Sequence, residues 1–206
     1  MKILLVNGSP HQHGCTYTAL DEAARALNAH GIETEILWLG TKAMQGCIAC
    51  GGCKKDGCCV FDDEVARVTR ELDGIDGFIF GTPVYYGGPS GTVQAFMDRL
   101  FHSAGRRMAG KVAAAVVSCR RGGSTAAFQS MNMYFQMTNM IVITSQYWNQ
   151  IHGNTRQEAL QDAEGLQTMR ILAENMRYVL QCLSAGKEKG VAPLTYEIRT
   201  ATNFIR

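Results

Sequence analysis

The chain has 206 residues, of which 46% are hydrophobic and 18% charged, and its formal net charge is +2 from 20 basic and 18 acidic groups. About 150 residues is typical of one domain, and a chain of this length buries a core without disulfide bonds. The balanced charge excludes a protein that binds nucleic acid through a basic surface, and the composition excludes disorder. We therefore expect one domain over residues 1–206.

The amino terminus lacks the pattern of an export signal. Lys2 is followed by the short apolar run 3–6 and then by Asn7, whereas a signal peptide needs a longer apolar core. The sequence also contains no run of about 18 apolar residues, the length of a membrane span. We therefore expect a cytoplasmic protein with reduced cysteines and no membrane partner.

Short apolar runs alternate with helical patterns along the chain. The predicted strands cover 3–6, 32–39, 77–82, 111–119 and 140–144, and the predicted helices cover 18–29, 62–72, 90–101, 124–137 and 158–183. Strands interleaved with helices predict a parallel sheet with helices on both faces. The commonest order for five such strands is 2-1-3-4-5, so we expect a flavodoxin-like three-layer α/β sandwich.

The loop after the first predicted strand, residues 8–16, has features of a phosphate site. It lacks the G-x-G-x-x-G of dinucleotide-binding folds and the Gly-Lys-Ser/Thr of nucleoside-triphosphate loops. Ser9 and Thr16 offer hydroxyls, and the N–H groups at a helix start favour an anion. The pattern is equally typical of a strand–helix turn capped by Ser and Thr, so both interpretations stay open on this loop alone.

Three loops together resemble the NAD(P)H-dependent FMN reductase family, whose members have a flavodoxin-like fold. Residues 8–16 read Gly-Ser-Pro-x-x-x-Gly-x-Thr, as in the family's phosphate loop. Residues 81–91 are similar to its Pro-Val-Tyr-x-Gly segment, and residues 95–99 to its Phe-x-Asp-Arg helix. Residues 118–124 resemble the glycine-bearing loop that borders the isoalloxazine, and the closing residues 202–206 continue the resemblance.

The resemblance implies bound FMN, with NAD(P)H as co-substrate. Because the flavin carries the chemistry, we expect no catalytic protein residue. The family often has Arg after the Pro of the first loop and Asn before its Thr, where this chain has His11 and Cys15. The implied cofactor-binding residues are Ser9, His11, Gly14, Cys15, Thr16, Pro83, Val84, Tyr85, Tyr86, Gly87, Ser118, Arg120, Gly122 and Gly123.

The long irregular stretch 40–61 holds five of the eight cysteines. The C-x2-C-x2-C spacing of Cys47, Cys50 and Cys53 lets three thiolates reach three corners of one cubane, and Cys58 or Cys59 could supply the fourth ligand. This segment resembles the iron–sulfur flavoproteins, a branch of the same family with a 4Fe–4S cluster on this loop. The resemblance favours Cys59 as the fourth ligand.

Three other interpretations of the cysteines stay open. Structural zinc usually takes two separated C-x2-C pairs, and only one tight group is present. A thioredoxin-like dithiol at Cys50 and Cys53 is another interpretation, and the third is a reduced loop that binds nothing. We expect Cys119 and Cys182 to be small core residues, whereas Cys15 lies near a helix N-terminus, a position that lowers thiol pKa values.

Two functions follow from these patterns. The first is an FMN-binding oxidoreductase that takes hydride from NAD(P)H and reduces a small acceptor such as a quinone, a flavin or an aromatic compound. The alternative is an iron–sulfur flavoprotein that passes electrons from a ferredoxin-like protein through a 4Fe–4S cluster to FMN. We expect a homodimer or homotetramer and no nucleic-acid partner. The aromatic pair 147–148 is expected to pack against the core; the alternative is that it walls a flavin or substrate pocket.

Overall fold

A central parallel sheet organises the fold in a computed structural model that describes residues 1–198 and 200–204. Of the closing segment, Ile205 and Arg206 lie outside the described residues. The strands are β1 (Lys2–Asn7), β2 (Glu33–Trp38), β3 (Gly77–Tyr85), β4 (Gly88–Pro89), β5 (Val112–Cys119), β6 (Ile141–Val142) and β7 (Gln150–His152). The helices are α1 (Cys15–Ala29), α2 (Cys53–Asp56), α3 (Glu64–Glu71), α4 (Gly91–Ala104), α5 (Ser124–Met137), α6 (Arg156–Ala159) and α7 (Ala163–Glu188).

The strand order is β2-β1-β3-β5-β6, with all of these neighbours parallel. The predicted order 2-1-3-4-5 is therefore confirmed. The short strand β4 pairs antiparallel with the end of β3 and forms a hairpin. Because the strands are parallel, their carboxyl ends meet at one edge of the sheet, and the loops of the expected flavin site follow those ends.

The fifth position of the sheet differs from the prediction, because two short strands share it. β6 pairs with β5 at Val112 and Ala113, and β7 pairs with β5 from Val117 onward. Between them the buried Asn149 replaces a strand, since its Nδ2 donates to the Ala115 carbonyl at 3.0 Å and its own carbonyl accepts from the Val117 N–H at 2.9 Å. The predicted strand 140–144 was therefore too long, and residues 150–152 were missed.

Apolar side chains pack on both faces of the sheet, as the sandwich predicts. On one face Phe78 and Phe80 of β3 pack with α3, α4 and α5, and Phe80 stacks on Phe135 at a centroid distance of 5.6 Å. On the other face Ile79 packs with α1 and α7. Alternate residues of β3 thus serve two cores, which is why the strand is apolar throughout.

Side-chain caps set most helix starts. Asp63 accepts from the Val65 N–H and Ser90 accepts from the Val93 N–H, so α3 and α4 begin as predicted. The last long helix begins five residues later than predicted, because Thr155 caps the separate turn α6 and Asp162 caps α7. In the part of the chain described here, no helix combines the length and the apolar character that a membrane crossing needs.

Candidate functional site

The three loops of the expected flavin site lie together at the carboxyl edge of the sheet. The Gly8 N–H donates to the Gly81 carbonyl at 2.9 Å, which joins the loops after β1 and β3. The Ser90 hydroxyl donates to the Gly8 carbonyl at 2.7 Å and so holds the start of α4 against the first loop. A Cβ on Gly8 would lie 2.5 Å from the Val93 Cβ, so this approach requires glycine.

Asn7, the last residue of β1, shapes the first loop from within. Its Oδ1 accepts from the Ser9 N–H at 3.0 Å and its Nδ2 donates to the Gln12 carbonyl at 3.0 Å. The Ser9 Oγ in turn accepts from the His11 N–H at 3.1 Å, and the Trp38 indole donates to the Ser9 carbonyl at 2.8 Å. Asn7 and Trp38 are not among the predicted site residues. A buried polar residue directly after an apolar strand was the available signal for Asn7.

The first and third loops are joined through buried hydroxyls. Thr16, in the first turn of α1, and Ser118, at the end of β5, lie 2.8 Å apart at their hydroxyl oxygens. Both residues are buried. The structure therefore brings these two predicted site residues together and engages their hydroxyls with each other, while His11 and Arg120 are exposed and Gly14 is partly buried.

The second loop is a two-residue hairpin turn with an aromatic tip. Val84 and Tyr85 pair with Pro89 and Gly88, and the turn residues Tyr86 and Gly87 have φ values of 51° and 80°. Positive φ at both turn positions is typical of hairpin turns, but for a residue with a bulky side chain it is strained. Tyr86 is fully exposed and Tyr85 is half exposed. The hairpin therefore presents two flat aromatic surfaces beside the carboxyl edge.

Gly123 fixes the distance between the second and third loops. Its φ is 89°, and a Cβ there would lie 2.9 Å from the Gly87 Cα and 3.0 Å from the Val84 Cγ1. Only glycine fits such a contact. The neighbouring Arg120 and Gly122 are exposed. A glycine cradle, exposed aromatic rings and a nearby cation suit a flat, anionic ligand such as FMN, and the individual ligand contacts stay a prediction.

Cys15 is the first residue of α1, and burial has the largest effect on the pKa of its thiol. The thiol donates to the carbonyls of Gly153 at 3.4 Å and Thr155 at 3.2 Å, and so ties the first loop to the residues after β7. Burial raises the pKa of the Cys15 thiol above its usual range, and the nearby Glu158 carboxylate adds to the rise. The helix N-terminus therefore does not lower the pKa of this thiol below its usual range.

We predict that Cys15 is alkylated slowly. At pH 8 a raised pKa leaves less thiolate than in a free cysteine of pKa about 8.5, and the thiolate is the reactive form. Iodoacetamide labelling followed by peptide mass spectrometry should modify the exposed Cys182 first. The Cys15 rate should then rise as the pH passes its raised pKa. Labelling of Cys15 at the rate of Cys182 would contradict the buried, protonated thiol.

The cysteine-rich segment, residues 40–61, folds around one pocket. Positive φ values at Ala49, Gly51 and Gly57 let the backbone turn back on itself. The residues that line the pocket include the cysteines 47, 50, 53 and 59, with Phe61 and Arg99. Cys58 is outside this lining, and its sulfur lies 4.0 Å from the Ala66 carbonyl.

The donor set around this pocket suits an iron–sulfur cluster. Four cysteines line one pocket, and thiolates are the ligands such clusters take. Within residues 1–198 and 200–204, no three His, Cys, Asp or Glu side chains lie close enough together to hold a metal ion. Binding of a cluster would therefore bring the four thiols closer together than they are in the structure.

Arg99 lines the pocket from another element, helix α4, and not from the cysteine-rich segment. Its guanidinium forms two hydrogen bonds with the Asp63 carboxylate, at 2.6 and 2.8 Å, and its Nε donates to the Cys59 sulfur at 3.2 Å. Burial lowers the pKa of Arg99, but the hydrogen bonds to Asp63 and Cys59 outweigh this and raise it overall, so the side chain is a fixed cation. The same helix α4 begins at the second loop, so Arg99 lies about 12 Å along the helix axis from Gly91.

Two other expectations are corrected. Cys119 is buried as expected, but Cys182 is exposed on α7 and is not a core residue. Tyr147 and Trp148 are half exposed and lie 4.8 Å apart at their ring centroids. They line a pocket together with Gln150 and His152 of β7 and residues at the start of α7.

Comparisons with known proteins identify relatives over most of the chain. A family model described as NADPH-dependent FMN reductase matches residues 1–155. An iron–sulfur flavoprotein of Methanocaldococcus jannaschii is 33% identical over 191 residues, which cover 89% of this chain and 99% of the relative. An iron–sulfur flavoprotein of Methanosarcina thermophila is 28% identical over 193 residues, which cover 92% of this chain and 100% of the relative.

Solved structures show the same fold at low identity. An NAD(P)H:quinone oxidoreductase from Methanothermobacter marburgensis matches with a TM-score of 0.65 at 12% identity, over 85% of this chain and 98% of its own. An archaeal flavodoxin matches with a TM-score of 0.60 at 14% identity, over 88% of this chain and 99% of its own. The solved structures confirm the flavodoxin-like fold, and the family match confirms the oxidoreductase class. The chain belongs to the NADPH-dependent FMN reductase family, on the branch of the iron–sulfur flavoproteins.

Proposed function

We propose that this FMN-binding oxidoreductase holds a 4Fe–4S cluster on Cys47, Cys50, Cys53 and Cys59 and passes electrons from a ferredoxin-like protein to FMN. The supporting observation is that these four cysteines line one pocket while Cys58 does not. The relatives named iron–sulfur flavoproteins, matched over nearly their whole length, add support. Structural zinc also takes four thiolates, but usually from two separated C-x2-C pairs, and a dithiol would use only two of the four cysteines.

The chain's part in flavin chemistry is to bind and orient. FMN, when bound, supplies hydride and single-electron transfer. Ser9 and the N–H groups at the start of α1 would hold the phosphate, because a helix N-terminus favours an anion. Tyr85 and Tyr86 would cover a face of the ring, and Arg120 would favour a negative charge on it. Gly87 and Gly123 keep the hairpin and the third loop close together.

The surface beside the cysteine pocket suits a protein electron donor. Ile48 and Val60 at the pocket expose apolar side chains, and the adjacent Lys54 and Lys55 are exposed. An apolar centre with a basic margin is complementary to an acidic one-electron carrier, and such complementarity mainly raises the rate of association. This supports a ferredoxin-like partner at the cysteine-rich segment.

A second candidate is direct reduction by NAD(P)H, followed by transfer to a quinone, a flavin or an aromatic compound. The exposed Tyr85 and Tyr86 favour it, because they leave an aromatic surface open to a planar small molecule. The description of the matching family also favours it. In this case the small acceptor would replace the protein donor as the partner, and the cysteine pocket would have no role in turnover.

Stopped-flow reduction of the anaerobic protein separates the two candidates. Reduced ferredoxin should bleach the flavin, and Lys54→Gln with Lys55→Gln should slow that reaction about tenfold at low salt. The matched control, Lys187→Gln with Lys189→Gln at the far end of α7, should leave the rate unchanged. Rapid bleaching by NADPH with no response to reduced ferredoxin would reverse the choice between the two functions.

We further propose a homodimer or homotetramer in the cytoplasm. Exposed apolar side chains on α5, Met133 and Met137, and on the carboxyl-terminal segment, Tyr196 and Ile198, form surface that an association would cover. A reducing compartment would keep all eight cysteines free, as they are described. Light scattering of the purified protein tests the assembly, and a monomer at micromolar concentration would contradict it.

A further inference from the structure

Arg99 is a buried cation that contacts the cysteine-rich segment at three residues. Among the described residues, Arg99 is the largest of the fully buried side chains. Its Nε donates to the Cys59 sulfur at 3.2 Å and its Nη1 donates to the Gln45 carbonyl at 3.2 Å. The guanidinium carbon lies 4.8 Å from the centre of the Phe61 ring. One side chain therefore contacts both ends of the segment that carries the cysteines.

The charge of Arg99 is compensated from outside the cysteine motif. Asp63, the cap of α3, binds the guanidinium through both carboxylate oxygens. A buried cation is unfavourable unless it is paired and its N–H groups are used. Since Asp63 engages Nη1 and Nη2, the Nε–H remains for the Cys59 sulfur, and the planar group fixes the direction of that N–H.

This geometry also distinguishes the two adjacent candidates for the fourth ligand. The Cys59 sulfur is held at the pocket by Arg99, whereas the Cys58 sulfur faces the Ala66 carbonyl of α3. An N–H donor to a ligating sulfur stabilises its negative charge, orients it, and raises the reduction potential of the cluster. A lysine at this position could not bind Asp63 with two parallel hydrogen bonds and also reach the sulfur.

We propose that Arg99 is a positioning residue of the iron–sulfur site: it selects Cys59 as the fourth ligand and donates a hydrogen bond to its sulfur. The proposal rests on the proposed function, because it requires a cluster in the pocket. It adds a residue of helix α4, outside the cysteine motif, that controls both the retention of iron and the potential.

The test compares Arg99→Gln and Arg99→Lys with the control Arg107→Gln. Arg107 also pairs with an aspartate, Asp73 at 2.8 Å, but contacts no cysteine. Iron release to a chelator should be about 10- to 100-fold faster in Arg99→Gln, as for other lost partners of metal ligands. An EPR-monitored redox titration should give a lower potential for Arg99→Gln, a smaller shift for Arg99→Lys, and none for Arg107→Gln.

Thermal unfolding of the iron-free proteins separates this role from a purely structural one. If Arg99 only stabilised the fold, its variants would melt earlier but retain the wild-type potential, and that result would overturn the proposal. If Arg99→Gln does not fold, iron release and the reduction potential are measured on Arg99→Lys instead. If the wild-type protein holds iron and an Arg99 variant releases it at an unchanged rate, the role of Arg99 is overturned but the proposed function is not. Wild-type protein without iron overturns the proposed function together with it.

Discussion

We expect that any single serine replacement among four cysteines abolishes stable iron binding. The four are Cys47, Cys50, Cys53 and Cys59. The four cysteines line one pocket, and a hydroxyl is a poor substitute for a thiolate ligand of iron. Iron and acid-labile sulfide per chain should fall from about four each to well below one. Bound FMN should be retained, because the loops after β1, β3 and β5 are built from other residues.

Cys58→Ser is the matched control for this series. Cys58 neighbours Cys59 in the chain, but its sulfur faces the Ala66 carbonyl and lies outside the pocket. Its replacement should leave iron and sulfide at the wild-type level. Loss of iron from Cys58→Ser, combined with retention in Cys59→Ser, would show that the fourth ligand has been assigned to the wrong residue.

Gly123→Ala is expected to weaken FMN binding by at least about tenfold, which is about 1.4 kcal/mol. The added methyl group would lie 2.9 Å from the Gly87 Cα, and the φ of 89° is unfavourable for alanine by about 1–2 kcal/mol. The hairpin and the third loop must therefore move apart. Titration of the flavin-free protein with FMN, followed by quenching of flavin fluorescence, measures the change.

Gly91→Ala is the control for the flavin site. Gly91 is the first residue of α4, beside the same loop, and a Cβ there meets nothing within 4 Å. FMN affinity should stay at the wild-type value. An unchanged affinity in Gly123→Ala would mean that the contact between the second and third loops does not shape the cofactor site.

The strand order of the sheet could be predicted from the sequence because the central strands are long apolar runs ended by turn residues. Strand β3 has a core on each face, so its pattern needs no knowledge of the rest of the fold. The split fifth position could not be predicted in this way. It depends on the side chain of Asn149 replacing a backbone partner of β5, a contact between residues 34 positions apart.

The candidate site, too, could be predicted only where its features are local in the sequence. The glycines of the loops and the spacing of the cysteines are local features, and they predicted where the loops and the pocket lie. Arg99 belongs to the stretch 95–99 that resembles the family's Phe-x-Asp-Arg helix, but its contact with the cysteine-rich segment was not predicted, because its burial depends on Asp63, 36 positions earlier. The raised pKa of Cys15 likewise depends on burial against residues after β7. Contacts distant in sequence decided each of these features.

The iron and sulfide content of the wild-type protein tests the central claim most directly. The protein is purified without oxygen, and iron, acid-labile sulfide and FMN are measured on one sample. We predict about four iron and about four sulfide for each bound FMN, together with a broad absorbance beneath the flavin bands. A yellow protein with FMN but no iron or sulfide, even after reconstitution with ferrous iron and sulfide, would contradict the account.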